Sequence, residues 1–448
     1  MNRLEYLMID LPEDIKKTMY CGDFNESLRL IDIFLKRNMP QILKDRLIFE
    51  KDRIRRLKED YIYSYEEALE LAKNEIRNLT EEEFQYLKDE RYIDWIYVDG
   101  KVTFHKSFLN NIIKVNTDMK HRFLHPRKDD SKLLDEVIDK IIEKGEVKYL
   151  IHVKTGLKLK EEHIRKGEKI RVHLPIPQNA QQIKNIRMLN TSHKPKYISR
   201  EDYPQRTIYF EEILKGNDEF TVEYSYENHI KYNELSPDKV SSHQPGFYTE
   251  ECLPQIRFTP YLVELTDMIA GSEKNPLIKA RKIYDYITKN VQYSFVRQYA
   301  AITNIPEYAA LNLKGDCGVQ ALLFITLCRI AKIPAKWQSG LVVNPNFIGC
   351  HDWAQFYIEP YGWLFADLSF GGSAFRKGNE KRWNYYFGNL DPFRMVANSE
   401  FHYELYPEKK YFRYDPYDNQ IGEMEYMDRP VYPHEYEVIQ EIIEVKEI

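Results

Sequence analysis

The sequence is poor in cysteine and has no long apolar run. Its five cysteines, Cys21, Cys252, Cys317, Cys328 and Cys350, are scattered over 448 residues without a Cys-x-x-Cys pair. An odd, dispersed set argues against a disulfide framework and against a structural zinc site, and suits a reducing compartment with at least one functional thiol. No stretch approaches the roughly 18 apolar residues of a membrane span. The N-terminal run MNRLEYLMIDLPEDIKK is interrupted by Glu5, Asp10 and Glu13, which is not the pattern of a secretory leader. A cytoplasmic protein with no membrane partner is the expectation. An excess of basic charge is also missing. The net charge is −5, with Lys and Arg interleaved with Asp and Glu, so no nucleic-acid partner is expected.

What is present fits a folded protein of more than one domain. The length exceeds what one ordinary core fills, and the 43% apolar fraction excludes wholesale disorder. Aromatic residues make up 14% of the chain, mostly its 34 Tyr. Such residues grip peptides and sugars, but they also pack cores and strands.

Residues 1–145 read as a mainly helical domain. Ser64-Tyr-Glu-Glu67 and Thr80-Glu-Glu-Glu83 are capping boxes, and Leu28, Ile31, Phe34 and Leu35 form an apolar stripe at helical spacing. Asp99-Gly100 between two β-type runs, 95–98 and 101–104, predicts a hairpin. From 146 to 234 the period changes to two, in runs at 147–153, 169–175, 206–210 and 220–226. That is the pattern of a β-sandwich. The third segment, 235–448, opens with a Ser/Pro/His-rich loop and two helical stretches near 260–271 and 275–290. It ends in a Tyr- and Pro-rich tail read as wrapping a sheet, with a short helix or strand at its end.

The chemistry lies in the middle of that third segment. Gly315 permits a tight approach before Cys317, which opens an apolar helix ending ahead of Ile333-Pro334. A thiol at a helix N-terminus meets unpaired N–H groups and the positive end of the macrodipole, and both favour thiolate. The same N–H groups can hold an oxyanion. Cys328, inside the helix among apolar neighbours, reads as packing. Two strand-like runs follow, 350–358 and 362–369, joined at 359–362. His351 on the first can deprotonate Cys317 and reprotonate a leaving amine. Asp367 on the second can orient the imidazole. Gln292, just upstream in a strand-like run, is a candidate oxyanion donor, with Tyr293 its competitor. Cys350, His351 and Asp352 are adjacent, so their side chains alternate between sheet faces and do not converge on a metal ion. No metal and no cofactor is called for. Trp337, Trp353 and Trp363 either line an acyl groove or pack the core.

The triad also sets a geometric condition. With a four-residue loop, His351 and Asp367 would point to opposite faces of the hairpin. An odd loop or a bulge is required. A three-residue loop at 359–361 would set Asp367 opposite Trp353, one diagonal step from His351.

Lys-Gly-Asp-Cys, the long helix ending in Ile-Pro-Ala, Gly340, His-Asp-Trp-Ala and Gly-Trp-Leu-Phe-Ala-Asp together resemble the core motif of the transglutaminase-like superfamily. The resemblance covers about 275–372 and is strongest over 313–370. It implies a papain-like transglutaminase core, and the β-region before it is similar to the sandwich module that often precedes that core. With the mainly helical N-terminal domain, which the resemblance does not reach, the expected fold class is α+β. The resemblance also implies Cys317 as nucleophile, His351 as base and Asp367 as orienter. The family often continues with Asp-Pro-Thr, whereas this chain has Asp367-Leu-Ser. The implied function is a cysteine hydrolase cleaving amide or peptide bonds of a peptide or protein substrate through a thioester. The alternatives are an acyltransferase onto amines and a catalytically silent binding module. The hydrolase leads because relatives of this layout resemble peptidases more than cross-linkers.

Overall fold

A computed structural model describes residues 4–125 and 131–448. Met1–Arg3, at the start of the N-terminal run, and 126–130, within the segment read as helical, lie outside the described residues. The chain divides into two compact units that are not consecutive in sequence.

The first unit comprises Met1–Asp129, Glu251–Glu264 and Lys289–Thr326. Helices dominate its N-terminal part. Both capping boxes form: the Ser64 and Thr80 hydroxyls accept from the Glu67 and Glu83 N–H groups, and the two glutamates reach back. The stripe at 28–35 lies on the helix Phe24–Leu35, whose Ile31 is fully buried beside Ile15, Leu47 and Ile54. The hairpin forms as Trp95–Val98 and Lys101–His105, with Asp99 and Gly100 at φ of 49° and 85°. Two positive φ values in succession are what a tight hairpin turn requires. Tyr61–Ser64 completes a three-stranded sheet.

The second unit comprises Asp130–Glu250, Leu265–Thr288 and Leu327–Ile448. It holds a five-stranded antiparallel sheet in the spatial order Phe387–Gly388, Gly362–Ala366, Phe347–Ile358, Ala335–Asn344, Arg394–Asn398. Two four-stranded sheets form the sandwich part. Glu146–Leu159, Glu219–Lys231 and Ile183–Thr191 belong to one, and Lys169–Pro175, Thr207–Ile213 and Tyr197–Ile198 to the other. The tail supplies an edge strand to each of these sheets: Tyr436–Glu447 pairs along Glu146–Leu159, and Glu423–Tyr426 along Lys169–Pro175. The fold class is therefore α+β, with a mainly helical part in the first unit and the sandwich and the five-stranded sheet in the second.

The units do not follow the three consecutive segments 1–145, 146–234 and 235–448. Helix Ser131–Lys144 is grouped with the second unit, where Asp135 Oδ1 takes Arg382 Nη1 at 2.9 Å and Ser131 Oγ takes Lys377 Nζ at 2.8 Å. Residues 289–326 are grouped with the first. There Arg53 Nη2 donates to Ala301 O at 2.9 Å, Gln298 N to Asp60 Oδ2 at 2.7 Å, and Phe295 N to Asn111 Oδ1 at 2.7 Å. Apart from the exposed Ser131–Lys377 bond, these are buried or half-buried polar pairs, and leaving one unmade would cost its full desolvation penalty.

Candidate active site

Cys317 is the first residue of the helix Cys317–Ile330. The chain arrives through Leu313 in the left-handed region, φ 50°. Lys314–Gly315 then pairs in parallel with Gln292–Tyr293, Gln292 opposite Lys314 and Tyr293 opposite Gly315. Asp316 caps the helix, its Oδ1 accepting from Val319 N at 3.2 Å and from the Tyr299 hydroxyl at 2.5 Å. Gln320 Nε2 donates to Gly315 O at 2.8 Å and closes the turn from the other side. A Cβ on Gly315 would lie 2.2 Å from Val319 Cγ1, so the approach to the helix admits glycine alone without a shift. Cys317 is partly exposed. Cys328 is fully buried, and burial pushes its thiol pKa well up, as expected of a packing residue. None of the five cysteines is in a disulfide.

His351 lies on Phe347–Ile358, in the middle of the five-stranded sheet. Its cross-strand partner is Gly340, where a Cβ would meet Met395 O at 2.0 Å. The hairpin to Gly362–Ala366 pairs Ile358 with Gly362 and Ala354 with Ala366, so its loop is the three residues 359–361. One further step in that register sets Asp367 opposite Trp353, and His351 Nε2 meets Asp367 Oδ2 at 2.7 Å. The strand stops at Ala366. The expected strand-like run through 369 instead bends at Asp367, which caps the helix Leu368–Arg376 by accepting from Phe370 N at 2.9 Å.

A third group that the sequence reading missed completes this pair. Arg394, on the far edge strand, places Nη2 2.9 Å from Asp367 Oδ2 and also pairs with Asp391. All three side chains are fully buried. The guanidinium lies 4.5 Å from the Phe370 ring centre, and His351 packs on the same ring at 4.7 Å. Burial alone would raise the Asp367 pKa, but the charges of His351 and Arg394 and the bonds from His351 and Phe370 N outweigh it and hold it at about 2. Burial lowers the His351 pKa, and Arg394 adds to the effect while Asp367 opposes it. With an ionised carboxylate against Nε2, a neutral ring carries its proton there and leaves Nδ1 as the basic nitrogen. The signal for Arg394 was weak. Asp391-Pro-Phe-Arg394 reads as an ordinary short-range ion pair, and nothing in its spacing ties it to Asp367.

The structure thus brings His351 and Asp367 together in the second unit and places Cys317 at its helix start in the first. Gln292 stands on the strand beside the loop that enters the Cys helix, with its N–H on Leu313 O at 2.9 Å. Asp352 accepts from Gln420 Nε2 at 2.7 Å, and the same amide reaches His351 O at 3.1 Å. Trp337 and Trp353 are core residues, 2% and 0% exposed. Trp363 is half-buried among Phe247, Tyr248 and Tyr357, with Lys336 Nζ 4.2 Å from its ring centre.

Residues 263–368 match the family model of the transglutaminase-like superfamily, so the chain carries a transglutaminase-like core around the Cys helix and the His351 strand. An uncharacterized protein of Haemophilus influenzae is 26% identical over 186 residues, 35% of this chain and 50% of that protein. The chain therefore matches about half the length of that relative. Two solved structures are also similar. A candidate cysteine protease from Cytophaga hutchinsonii aligns at 13% identity and a TM-score of 0.35, over 68% of this chain and 90% of its own. The periplasmic domain of TgpA from Pseudomonas aeruginosa aligns at 12% identity and a TM-score of 0.30, over 55% and 95%. Among the described residues no helix is long and apolar enough to cross a membrane.

Proposed function

We propose that the protein is a cysteine hydrolase that cleaves amide or peptide bonds, with Cys317 as nucleophile, His351 as base and acid, and Asp367 as orienter. The observation that carries this reading is the buried His351 Nε2–Asp367 Oδ2 bond of 2.7 Å. It fixes the tautomer and leaves Nδ1 to exchange a proton with a thiol. Cys317 Sγ, held as thiolate by the helix N-terminus and by proton transfer to His351, attacks the carbonyl carbon. The C–N bond breaks as the imidazolium gives its proton to the leaving amine, and a thioester remains on Sγ. Water, deprotonated by His351, then releases the acid and restores the thiolate with the imidazolium. The Cys317 N–H, with Gln292 alongside, is the proposed oxyanion donor.

The test is mass spectrometry of a peptide library incubated with the full chain, with and without a primary amine, in H2 18O. Incorporation of 18O into new carboxyl groups supports the hydrolase. Amine incorporation in place of water moves the assignment to an acyltransferase. An unaltered library with no acyl adduct on Cys317 overturns the enzymatic reading.

A further inference from the structure

The first unit contains a cleft of about 680 Å³, separate from the groups assigned above. That volume lies within the range of small-molecule sites, about 300–1,000 Å³. Its walls come from the helices Glu13–Tyr20, Gln41–Asp60 and Ile305–Asn312 and from the strand Trp95–Val98.

The lining charges do not balance. Five cationic side chains face three carboxylates, and the carboxylates are already engaged. Asp10 takes Lys16 Nζ at 2.6 Å. Glu50 is shared between Arg46 and Arg53. Glu307 accepts from the Thr259 hydroxyl at 2.8 Å. Arg257 and Arg297 are the two lining guanidinium groups without a lining carboxylate as partner. Arg297 pairs with Asp94 at 3.7 Å, a carboxylate that also accepts from the Tyr61 hydroxyl, and Asp60 adds to the stabilisation of its charge. Arg257 reaches only Met8 Sδ at 2.9 Å and Pro254 O at 3.4 Å. No described carboxylate forms an ion pair with Arg257. The buried Nε–H groups of Arg257 and Arg297 have no acceptor among the described residues.

A guanidinium cannot shed its charge at any ordinary pH. Holding one partly out of water without an anion is costly. Beside these charges the wall is apolar, with Leu57, Ile96, Ile302 and Leu311 and the ring of Trp95. We propose that this cleft binds a small organic oxyanion, a carboxylate or a phosphate carried on an apolar body, with Arg257 and Arg297 as its charge partners. Arginine is suited to that task because its planar fork matches both groups in a bidentate manner. The site is independent of the proposed hydrolase chemistry and stands or falls apart from it.

Calorimetric titration of the full chain with phenyl phosphate, phenylacetate and the neutral benzyl alcohol tests the proposal. At least one of the anions is expected to bind tenfold or more tightly than the alcohol, and the tighter of the two identifies the headgroup. Arg257→Gln should weaken that anion at least tenfold without lowering the melting temperature of the unliganded protein. Raising NaCl from 150 to 500 mM should weaken it in the wild type, a readout that needs no variant. The proposal is overturned if neither anion outbinds the alcohol. It is also overturned if binding is insensitive to both the substitution and salt.

Discussion

Arg394 Nη2 stands 2.9 Å from Asp367 Oδ2, the same oxygen that His351 Nε2 reaches at 2.7 Å. One buried cation therefore serves two buried carboxylates, Asp367 and Asp391. Removing it strands both. Arg394→Met should destabilise the protein by about 3–5 kcal/mol and raise the Asp367 pKa, so the acid limb of the pH–rate profile moves to higher pH. Arg394→Lys should restore part of both, since it keeps the charge but loses the fork. Urea unfolding and a pH–rate profile measure the two effects. A loss of stability with an unmoved profile would make Arg394 a packing residue only.

Within the proposed triad the members should not be equally costly. His351→Ala removes the general base and acid and should lower kcat/KM by about 10²–10⁴-fold, close to the effect of Cys317→Ala because the groups act as a unit. Asp367→Asn should cost less. An amide oxygen can still accept from Nε2, and in the proposed mechanism the thiolate–imidazolium pair forms before substrate arrives. Steady-state kinetics of the three variants decide this, and an Asp367→Asn loss equal to that of His351→Ala would contradict it.

Much of the acid sensitivity should arise outside the site. Burial lowers the His173 pKa to about 3, with the charge of Lys409 reinforcing the shift. The unfolded chain takes up this proton near pH 6.5 and the folded chain only near 3. Between those values the unfolded state binds more protons, and stability falls as pH falls. The total effect is on the order of 5 kcal/mol. Asp367 and Glu423, both held at about 2, add to the loss only below their unfolded values near 4. His173→Gln should make the decline between pH 6.5 and 3 shallower in thermal melts, with His351 and His402 still contributing, and leave the part below pH 3 intact. An unchanged slope above pH 4 would remove His173 as its source.

The elements around the site were legible because their signals are local. The capping boxes, the Asp-Gly hairpin, the glycine before Cys317 and the Cys helix each depend on residues within a few positions of one another. The odd loop at 359–361 followed from requiring His351 and Asp367 on one sheet face. The missed features are long-range. Arg394 reaches Asp367 from the opposite edge strand of the sheet. Strand Tyr436–Glu447 carries Val438, Ile442 and Val445 at spacings that suit a helix as well as a strand. Its pairing with the edge of Glu146–Leu159, assisted by Lys154 on Glu441 at 3.4 Å, decides the matter. The grouping of 289–326 with the helical unit rests on Arg53, Asp60 and Asn111, more than 180 residues away in sequence, and no spacing rule relates them.

The most direct test of the central claim is alkylation by substoichiometric iodoacetamide at pH 6, followed by peptide mass mapping. An ordinary thiol of pKa about 8.5 is only about 0.3% thiolate at that pH. Cys317 is predicted to take the label before the exposed Cys21, and His351→Ala should slow its labelling sharply while leaving Cys21 unaffected. Labelling of Cys328 or Cys21 with Cys317 untouched, or a Cys317 rate indifferent to His351, would contradict the account.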